Sequence, residues 1–298
     1  MEVKNAFLNG DLEEEVYMKP PLGLNHPPNK KFEMKDLGVL SYFLGLEVTS
    51  SNDGYLLSQV KYASDLVSKA ELNDGKSIST PLEPNVKLTP MDGSPLFDPT
   101  RYCQFMTAPR STHYVAVLCI ICYVKGTLFH GLHFFANSSL VLHAYSDADW
   151  AGDPSNYRST TGYYLFLSNS LISWWSKKQT IPSRSNIEAE YRAFGDTTSE
   201  FLSLWWLLED MGIPQPFSTD LYCDNQSAMQ IAHNDVFHER TKHIEVDCHF
   251  VRHHVAQGTI HLVFIGSADQ PDLFTKAHFP GSFRTLLSKL KLVSSQPP

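Results

Sequence analysis

The hydrophobic pattern of residues 141–276 constrains the fold of this chain more than any other feature of its sequence. Alternating apolar residues predict strands, and apolar residues spaced by three or four predict helices. The pattern predicts three strands and a long helix, followed by a strand, two helices, a strand and a short terminal helix. This order favours an α/β fold with a mixed sheet. The predicted strands are 141–150, 160–168, 171–178, 219–224 and 259–265, and the predicted helices are 185–211, 225–233, 240–256 and 272–277.

Residues 1–140 have a less regular pattern, in which short apolar clusters are separated by turn-rich stretches. Helices are predicted at 60–70 and 113–125. The longest apolar run covers only residues 114–124, whereas a membrane-spanning helix needs about 20 residues. The first residues also lack the apolar stretch of a signal peptide. The five scattered cysteines suit reduced thiols. Together these features predict a cytoplasmic or nuclear protein with no membrane partner.

Four short acidic segments lie on or next to the predicted elements of residues 141–276. Carboxylates inside core elements are costly unless they are paired or bind a metal. Several that converge repel one another, and divalent cations relieve this repulsion. An all-oxygen ligand set suits Mg²⁺, with Mn²⁺ as a substitute. Two such ions about 4 Å apart can activate a water and stabilise the leaving oxygen of a phosphodiester. The segments are 145–149, 187–191, 222–225 and 268–272.

Two of these segments carry two acids at near-adjacent positions, so one ligand must be chosen from each pair. Ser185 and Glu188 have the spacing of a capping box, which gives Glu188 a structural role at the start of the long helix. Glu190 is then the residue that can face the sheet. Asp147 and Asp149 share a strand face, and Asp147 lies deeper in the strand. The sequence therefore favours Glu190 and Asp147 as ligands.

The remaining two segments each supply one further candidate. Asp224 ends a predicted strand, and ligand crevices form at the carboxyl ends of strands in open α/β sheets. Asp269 is well placed as a helix N-cap, with Pro271 tolerated in the first turn. Asp272 is then the ligand candidate, and the choice between Asp269 and Asp272 stays open.

Six motifs of residues 141–276 resemble the ribonuclease H domain that ends the Pol polyprotein of copia-type LTR retrotransposons. The resemblance implies an RNase H-like fold and cleavage of the RNA strand of RNA–DNA hybrids. It also implies a catalytic and metal-binding quartet of Asp147, Glu190, Asp224 and Asp272. The motifs are YSDADWAGD (145–153), RSTTG (158–162), SWWSKKQ (173–179), EAEY (188–191), YCDN (222–225) and HERTKHIE (238–245).

Polar and basic residues next to the predicted site are candidates for contacts with the hybrid. Basic side chains in a loop before the long helix can hold phosphates, and hydroxyl and amide groups near the ions can mark the RNA strand through its 2′-hydroxyls. Helix capping and loop solvation explain the same residues equally well. No motif of a nucleotide-binding loop or a serine hydrolase is present, so no small-molecule cofactor is expected. The phosphate candidates are Lys177, Lys178 and Arg184, and the 2′-hydroxyl candidates are Ser185, Asn186 and Asn225.

The first half of the chain resembles the reverse transcriptase part of the same polyprotein, but only in pieces. Residues 1–10 are similar to the strand that carries the first catalytic aspartate of the polymerase, and here Glu2 stands at that position. Residues 32–38 and 42–47 resemble segments that lie well over a hundred residues further along in the family. The paired aspartates of the polymerase are missing, since the chain has no Asp-Asp dipeptide. Incomplete palm fragments without polymerase activity are therefore expected.

These resemblances give an expected domain organisation. Residues 1–110 are predicted to be a truncated reverse transcriptase remnant, and 111–140 a remnant of the connecting segment. Residues 141–278 are predicted to form the RNase H-like domain, with a mixed five-stranded sheet flanked by helices, and 279–298 a C-terminal tail.

An alternative function is a non-catalytic relic with at most weak nucleic-acid binding. The family usually has an alanine between a proline (or leucine) and the last aspartate, and the stretch Gln270-Pro271-Asp272 of this chain lacks it. A one-residue shift rotates a helix start by about 100°. A nuclease of the same fold that acts on DNA is a further alternative. The formal charge of −8 argues against a broadly basic surface, although bound divalent ions would offset the four proposed ligands.

Overall fold

The computed structural model describes residues 40–72, 76–84, 86, 88–96, 110–234, 244–266 and 272–294. Within these residues the strands form two five-stranded sheets. The elements before residue 140 are β1 (Tyr42–Phe43), β2 (Leu46–Ser51), β3 (Gly54–Ser58), α1 (Val60–Lys69), α2 (Ser111–Gly126) and β4 (His130–Phe135).

The later elements begin with β5 (Leu142–Asp149), β6 (Thr160–Leu167), β7 (Ser170–Lys178), α3 (Asn186–Asp210) and β8 (Thr219–Cys223). They continue with α4 (Gln226–His233), α5 (Glu245–Ala256), β9 (Ile260–Phe264), a 3₁₀ turn (Asp272–Phe274), α6 (Pro280–Lys289) and β10 (Val293–Ser294).

The first sheet is antiparallel throughout and has the strand order β1–β2–β3–β4–β10. Helices α1 and α2 lie where the apolar spacing predicts them. The sequence did not predict β1 to β4, because these strands are short and β1 and the end of β2 are exposed, which removes the alternating pattern. The segments 1–10, 20–28 and 32–38 lie outside the described residues. None of the helices in the described ranges has the length and apolar character that a bilayer crossing demands.

The second sheet has the strand order β7–β6–β5–β8–β9. β5, β6 and β7 form antiparallel pairs, whereas β8 is parallel to both β5 and β9. Strand β5 is therefore central and joins the antiparallel half of the sheet to the parallel half. The predicted mixed five-stranded sheet flanked by helices is confirmed.

Helix α3 packs across one face of the second sheet and forms the main core with it. Side chains at alternate positions of β5 and β6 meet one side of α3, because successive residues of a strand point to opposite faces. The largest buried residues of this core include Leu142, Leu165, Tyr191, Phe194, Phe201 and Leu221. Asp147 lies on the opposite face of β5, near the end of the strand.

The chain after residue 279 returns to both sheets. Leu290 is buried with Tyr164 and Phe166 on the second sheet, and β10 pairs with β4 of the first sheet. The tail predicted over residues 279–298 is a helix and a strand in its described part. Phe283, Leu286 and Leu290 have helical spacing and are all buried, so an apolar stripe explains why this segment folds. The domain boundaries themselves stay predictions.

Replacing Leu290 by alanine is expected to lower the free energy of unfolding by about 2–4 kcal/mol, as for other fully buried leucines. The side chain is only 5% exposed, so its removal leaves a cavity between α6 and β6. Urea unfolding followed by circular dichroism measures the change. Leu207→Ala on the exposed side of α3 is the matched control and should change stability by less than about 0.5 kcal/mol. Equal effects of the two substitutions would contradict the packing described.

Candidate metal centre

Three carboxylates converge at the carboxyl end of the central parallel strands. Asp147 lies on β5, Glu190 on α3, and Asp224 directly after β8. One oxygen atom from each of the three side chains lies within 4.8 Å of the other two. The strand register explains this convergence: Tyr145 is paired with Tyr222, so Asp147 and Asp224 each lie two residues further along neighbouring parallel strands, on the same face.

The carboxylates are held in a poorly solvated position. Asp147 is 6% exposed and Glu190 is 3% exposed. Burial raises the pKa of Asp147 to about 6, and the negative charges of Asp272 and Asp224 add to this rise. Burial, with Asp147 and Asp224, raises the pKa of Glu190 to about 9. Glu190 is therefore protonated at neutral pH when no cation is bound.

One oxygen of Glu190 lacks a hydrogen-bond partner among the described residues. Its Oε2 atom is buried and has no hydrogen bond among the described residues. Buried polar atoms are almost always hydrogen-bonded or bound to an ion or water. Three carboxylates converge here, and one of them has an unsatisfied buried oxygen. This arrangement fits a hard divalent cation such as Mg²⁺.

Asp272 lies beside the three carboxylates, in the 3₁₀ turn. Its Oδ2 atom accepts a hydrogen bond from Lys276 Nζ at 2.9 Å, and its buried Oδ1 atom has no partner among the described residues. The negative charge of Asp272 raises the pKa of Asp147, so the two side chains are electrostatic neighbours. Asp272 is not in the group of three within 4.8 Å. Asp269, the alternative candidate, lies outside the described residues.

The 3₁₀ turn is fixed against β5 and β6. The Thr275 hydroxyl donates to Asp147 Oδ2, and Ser176 donates to the Phe274 carbonyl oxygen. Gly162 permits this close approach, since a Cβ atom there would lie 2.6 Å from the Thr275 methyl group. The turn therefore orients Asp147 directly through Thr275.

The two acids that sequence analysis set aside have structural partners. The Glu188 amide donates to Ser185 Oγ at 3.2 Å, as the capping-box spacing predicts. Its carboxylate accepts from the Arg184 amide at 2.9 Å and from the Arg192 guanidinium at 2.7 Å. Asp149 accepts from the Thr160 amide. These contacts explain why Glu190 and Asp147 are the members of each pair that reach the cluster.

The predicted nucleic-acid contacts are divided between the end of β7 and two helix starts. Lys177 lies over the Trp175 ring, 5.4 Å from its centroid, and Lys178 pairs with Asp153. Arg184 precedes the start of α3, where Ser185 is the N-cap and Asn186 the first helical residue. Asn225 follows Asp224 and caps α4, since its Oδ1 accepts from the Ala228 amide at 3.0 Å. Ser185 and Asn225 thus act as helix caps, which is one of the two roles that the sequence predicts for them.

Gln179 supports the site and was not singled out by the sequence. Its side-chain amide donates to the Ala189 carbonyl oxygen at 2.9 Å and to Thr161 Oγ1 at 3.2 Å. It also accepts from Ser183 Oγ at 2.8 Å. Because Ala189 precedes Glu190, this buried amide ties the loop before α3 to the turn that carries the ligand. A buried glutamine has no periodic signal, and only its place at the end of the SWWSKKQ segment marks it.

Several known proteins are similar to this chain. Residues 28–84 match the family described as reverse transcriptase (RNA-dependent DNA polymerase). The retrovirus-related Pol polyprotein from transposon RE1 of Arabidopsis thaliana is 38% identical over 294 residues, covering 90% of this chain and 20% of the relative. An uncharacterized mitochondrial protein of the same plant is 38% identical over 192 residues, covering 57% of this chain and 80% of that protein.

Among solved structures, LC11-RNase H1, isolated from compost by a metagenomic approach, aligns with a TM-score of 0.36 and 13% identity. The alignment covers 50% of this chain and 99% of that structure. The chain spans about a fifth of the length of the curated Pol polyproteins it matches.

Proposed function

The chain belongs to the copia-type Pol polyproteins of retrotransposons, and from this premise we propose that residues 141–278 act as a ribonuclease H. The substrate is an RNA–DNA hybrid, and the RNA strand is the one hydrolysed. The observation that carries this proposal is the group of three carboxylate oxygens within 4.8 Å of one another, two of them on the buried side chains of Asp147 and Glu190. Such a group is unfavourable without a cation, and hydrolysis of a phosphodiester is a reaction that divalent cations support.

The ligand set for two Mg²⁺ ions, or Mn²⁺ in their place, would be Asp147, Glu190, Asp224 and Asp272. The buried atoms Glu190 Oε2 and Asp272 Oδ1 support this choice, because neither has a hydrogen-bond donor among the described residues. When bound, the ions supply Lewis acidity for the attack of water on the phosphodiester and for the departure of the leaving oxygen.

The protein's own residues would orient this site and bind the hybrid. Thr275 holds Asp147 in one rotamer through its hydroxyl, and Gln179 holds the start of α3. Lys177, Lys178 and Arg184 are proposed to contact phosphates near the end of β7 and the start of α3. These contacts would set the register of the hybrid without reading its sequence.

The 2′-hydroxyl contacts would come from the two helix starts. Asn225 uses its Oδ1 atom as a cap, and its Nδ2 group is a donor that a 2′-hydroxyl can accept. Ser185 accepts from the Glu188 amide, and its O–H can donate outward, as can the side chain of Asn186. Recognition of 2′-hydroxyls would distinguish RNA from DNA at this site.

The test of this function is cleavage of an end-labelled RNA strand annealed to DNA, with Mg²⁺ or Mn²⁺ and with excess chelator. We expect RNA fragments only with the divalent ion and only from the hybrid. The DNA strand and an all-DNA duplex of the same sequence should stay intact. Absence of cleavage by folded protein would favour the non-catalytic relic, and cleavage of the all-DNA duplex would favour a DNA nuclease.

The reverse transcriptase part is proposed to be inactive. Polymerisation by a two-metal mechanism needs carboxylates on separate strands, and the chain has Glu2 in place of the first aspartate and no Asp-Asp dipeptide. Primer extension on an RNA template should give no product above background, and a templated product would refute this proposal.

Added Mg²⁺ is expected to raise the melting temperature more at pH 9 than at pH 7. The folded pKa of Glu190 is raised to about 9, well above that of an unfolded glutamate. The ion-free folded state therefore binds more protons than the unfolded state in this range and loses stability as pH rises. A cation removes that loss. Differential scanning fluorimetry with and without Mg²⁺ measures the melting temperature at both pH values. A rise on addition of Mg²⁺ that is equal at pH 7 and pH 9 would contradict the raised pKa of Glu190.

A further inference from the structure

A lysine ammonium group lies beside the carboxylate cluster, paired with Asp272. Lys276 Nζ is 2.9 Å from Asp272 Oδ2, and the two residues are separated by one helical turn in sequence. The positive charge of Lys276 lowers the pKa of both Asp147 and Glu190. Its own pKa is raised by Asp147, Asp272 and Asp224 against the opposite effect of burial. Lys276 is therefore the electrostatic neighbour of all four proposed ligands.

The backbone that carries Lys276 is anchored, whereas its side chain is able to move. Thr275 and Phe274 are tied to β5 and β7 by side-chain hydrogen bonds, and His278 Nε2 is 3.1 Å from the Asp272 carbonyl oxygen. The Lys276 side chain is 47% exposed and ends a flexible four-carbon stem. It can thus leave Asp272 for solvent without any rearrangement of the turn.

The two carboxylate oxygens of Asp272 have different surroundings. One of its oxygens holds the ammonium group, while the other is buried without a partner among the described residues. The group of three carboxylates within 4.8 Å is complete without Asp272. A first divalent ion at this group would leave Lys276 in place, whereas a second ion bound at Asp272 would share one carboxylate with the ammonium group.

We propose that Lys276 is a displaceable internal cation of the site, which pairs with Asp272 in the ion-free protein and competes with the second divalent ion. This inference rests on the proposed function, because it takes the four carboxylates as the ligands of two ions. The competition makes the second ion bind more weakly than the first. Occupancy of the second position then depends on the concentration of free divalent cation.

The physical basis is the repulsion between an ammonium group and a divalent ion that share one carboxylate. At separations of about 5 Å this repulsion is large even at an effective dielectric constant of about 20. Movement of the side chain into water relieves most of it but gives up the pairing with Asp272. We therefore expect Lys276→Gln to strengthen binding of the second ion by about tenfold or more, with little effect on the first.

The test counts bound Mn²⁺ by titration of the full chain without nucleic acid, using electron paramagnetic resonance to measure free Mn²⁺. The wild type should bind one ion tightly and a second one weakly. Lys276→Gln should bind both within about tenfold of each other, and Lys276→Arg should behave like the wild type because it keeps the charge. Lys69→Gln at the end of α1 is the remote charge control and should leave both affinities unchanged.

A second readout is thermal stability in the presence of chelator. Lys276→Gln should melt at a lower temperature than the wild type, because the carboxylates lose their internal cation, and saturating Mn²⁺ should abolish the difference. A destabilisation that persists at saturating Mn²⁺ would indicate a purely structural role and would overturn the proposal.

The outcomes separate this proposal from the proposed function. If the wild type binds Mn²⁺ and cleaves the hybrid but Lys276→Gln leaves the second affinity unchanged, the internal cation is refuted and the ribonuclease stands. If Lys276→Gln binds the hybrid more weakly but Mn²⁺ with unchanged affinity, Lys276 contacts a phosphate, and the internal-cation proposal is also refuted. If the wild type binds no Mn²⁺, both proposals fail.

Discussion

Asp147→Asn is expected to reduce the rate of hybrid cleavage by about a thousandfold or more. Asp147 lies on the central strand and is a member of the carboxylate group that would bind the ions. An amide keeps the size of the side chain and accepts the Thr275 hydrogen bond, but it lacks the negative charge. A loss of about 4 kcal/mol of transition-state stabilisation corresponds to this factor. Initial rates with a labelled hybrid at saturating Mg²⁺ measure it.

Asp149→Asn is the matched control for this substitution. It removes the same charge from the same strand, and the asparagine oxygen can still accept from the Thr160 amide. We expect its rate to stay within a fewfold of the wild type. Melting temperatures of both variants show whether each is folded. If Asp147→Asn cleaves the hybrid at the wild-type rate, Asp147 is not a ligand of the site. If both variants lose the same fraction of the cleavage rate, the effect is a general one of charge.

Glu190→Gln is expected to abolish cleavage and at the same time to stabilise the ion-free protein. The folded pKa of Glu190 is raised to about 9, so at pH 8 folding must keep protonated a side chain that is ionised in the unfolded chain. Stability is lost as pH rises above the unfolded pKa. Glutamine has the shape of the protonated acid and avoids this loss. We expect a gain of about 1–3 kcal/mol in the free energy of unfolding, measured by urea titration with chelator.

Glu188→Gln should change stability in the opposite direction. Glu188 accepts hydrogen bonds from the Arg184 amide and the Arg192 guanidinium at the start of α3, so removing its charge weakens a cap and an ion pair. Its cleavage rate should remain far above that of Glu190→Gln. If Glu190→Gln were destabilised like Glu188→Gln, Glu190 would be part of a structural network and not a ligand.

The central part of the candidate site could be predicted because local rules restrict it. The capping-box spacing assigns Glu188 to the helix start, and the structure shows that assignment in its hydrogen bonds. Strand alternation places Asp147 and Asp149 on one face of the strand, and the deeper position of Asp147 favours it as the ligand. The mixed sheet follows from the order of periodic segments. Each of these inferences depends on residues close together in sequence, where geometry is fixed by the element itself.

The parts that the sequence did not predict depend on distant contacts. Lys276 reaches the cluster only because the 3₁₀ turn packs onto Gly162, more than a hundred positions earlier. The first sheet is missed for a related reason, since its strands are short and partly exposed. Residues 28–84 match the reverse transcriptase family through sequence similarity and not through a hydrophobic pattern.

The pairing of β10 with β4 has a consequence for biosynthesis. β4 begins at His130, whereas its partner begins at Val293, so the ribosome must add about 160 residues before the pair can form. At usual translation rates this delay lasts about 10–30 s. During that time the backbone edge of β4 is open, and open edges are templates for pairing with other chains. A nascent chain of this protein would therefore depend on chaperones most strongly between the synthesis of β4 and that of β10.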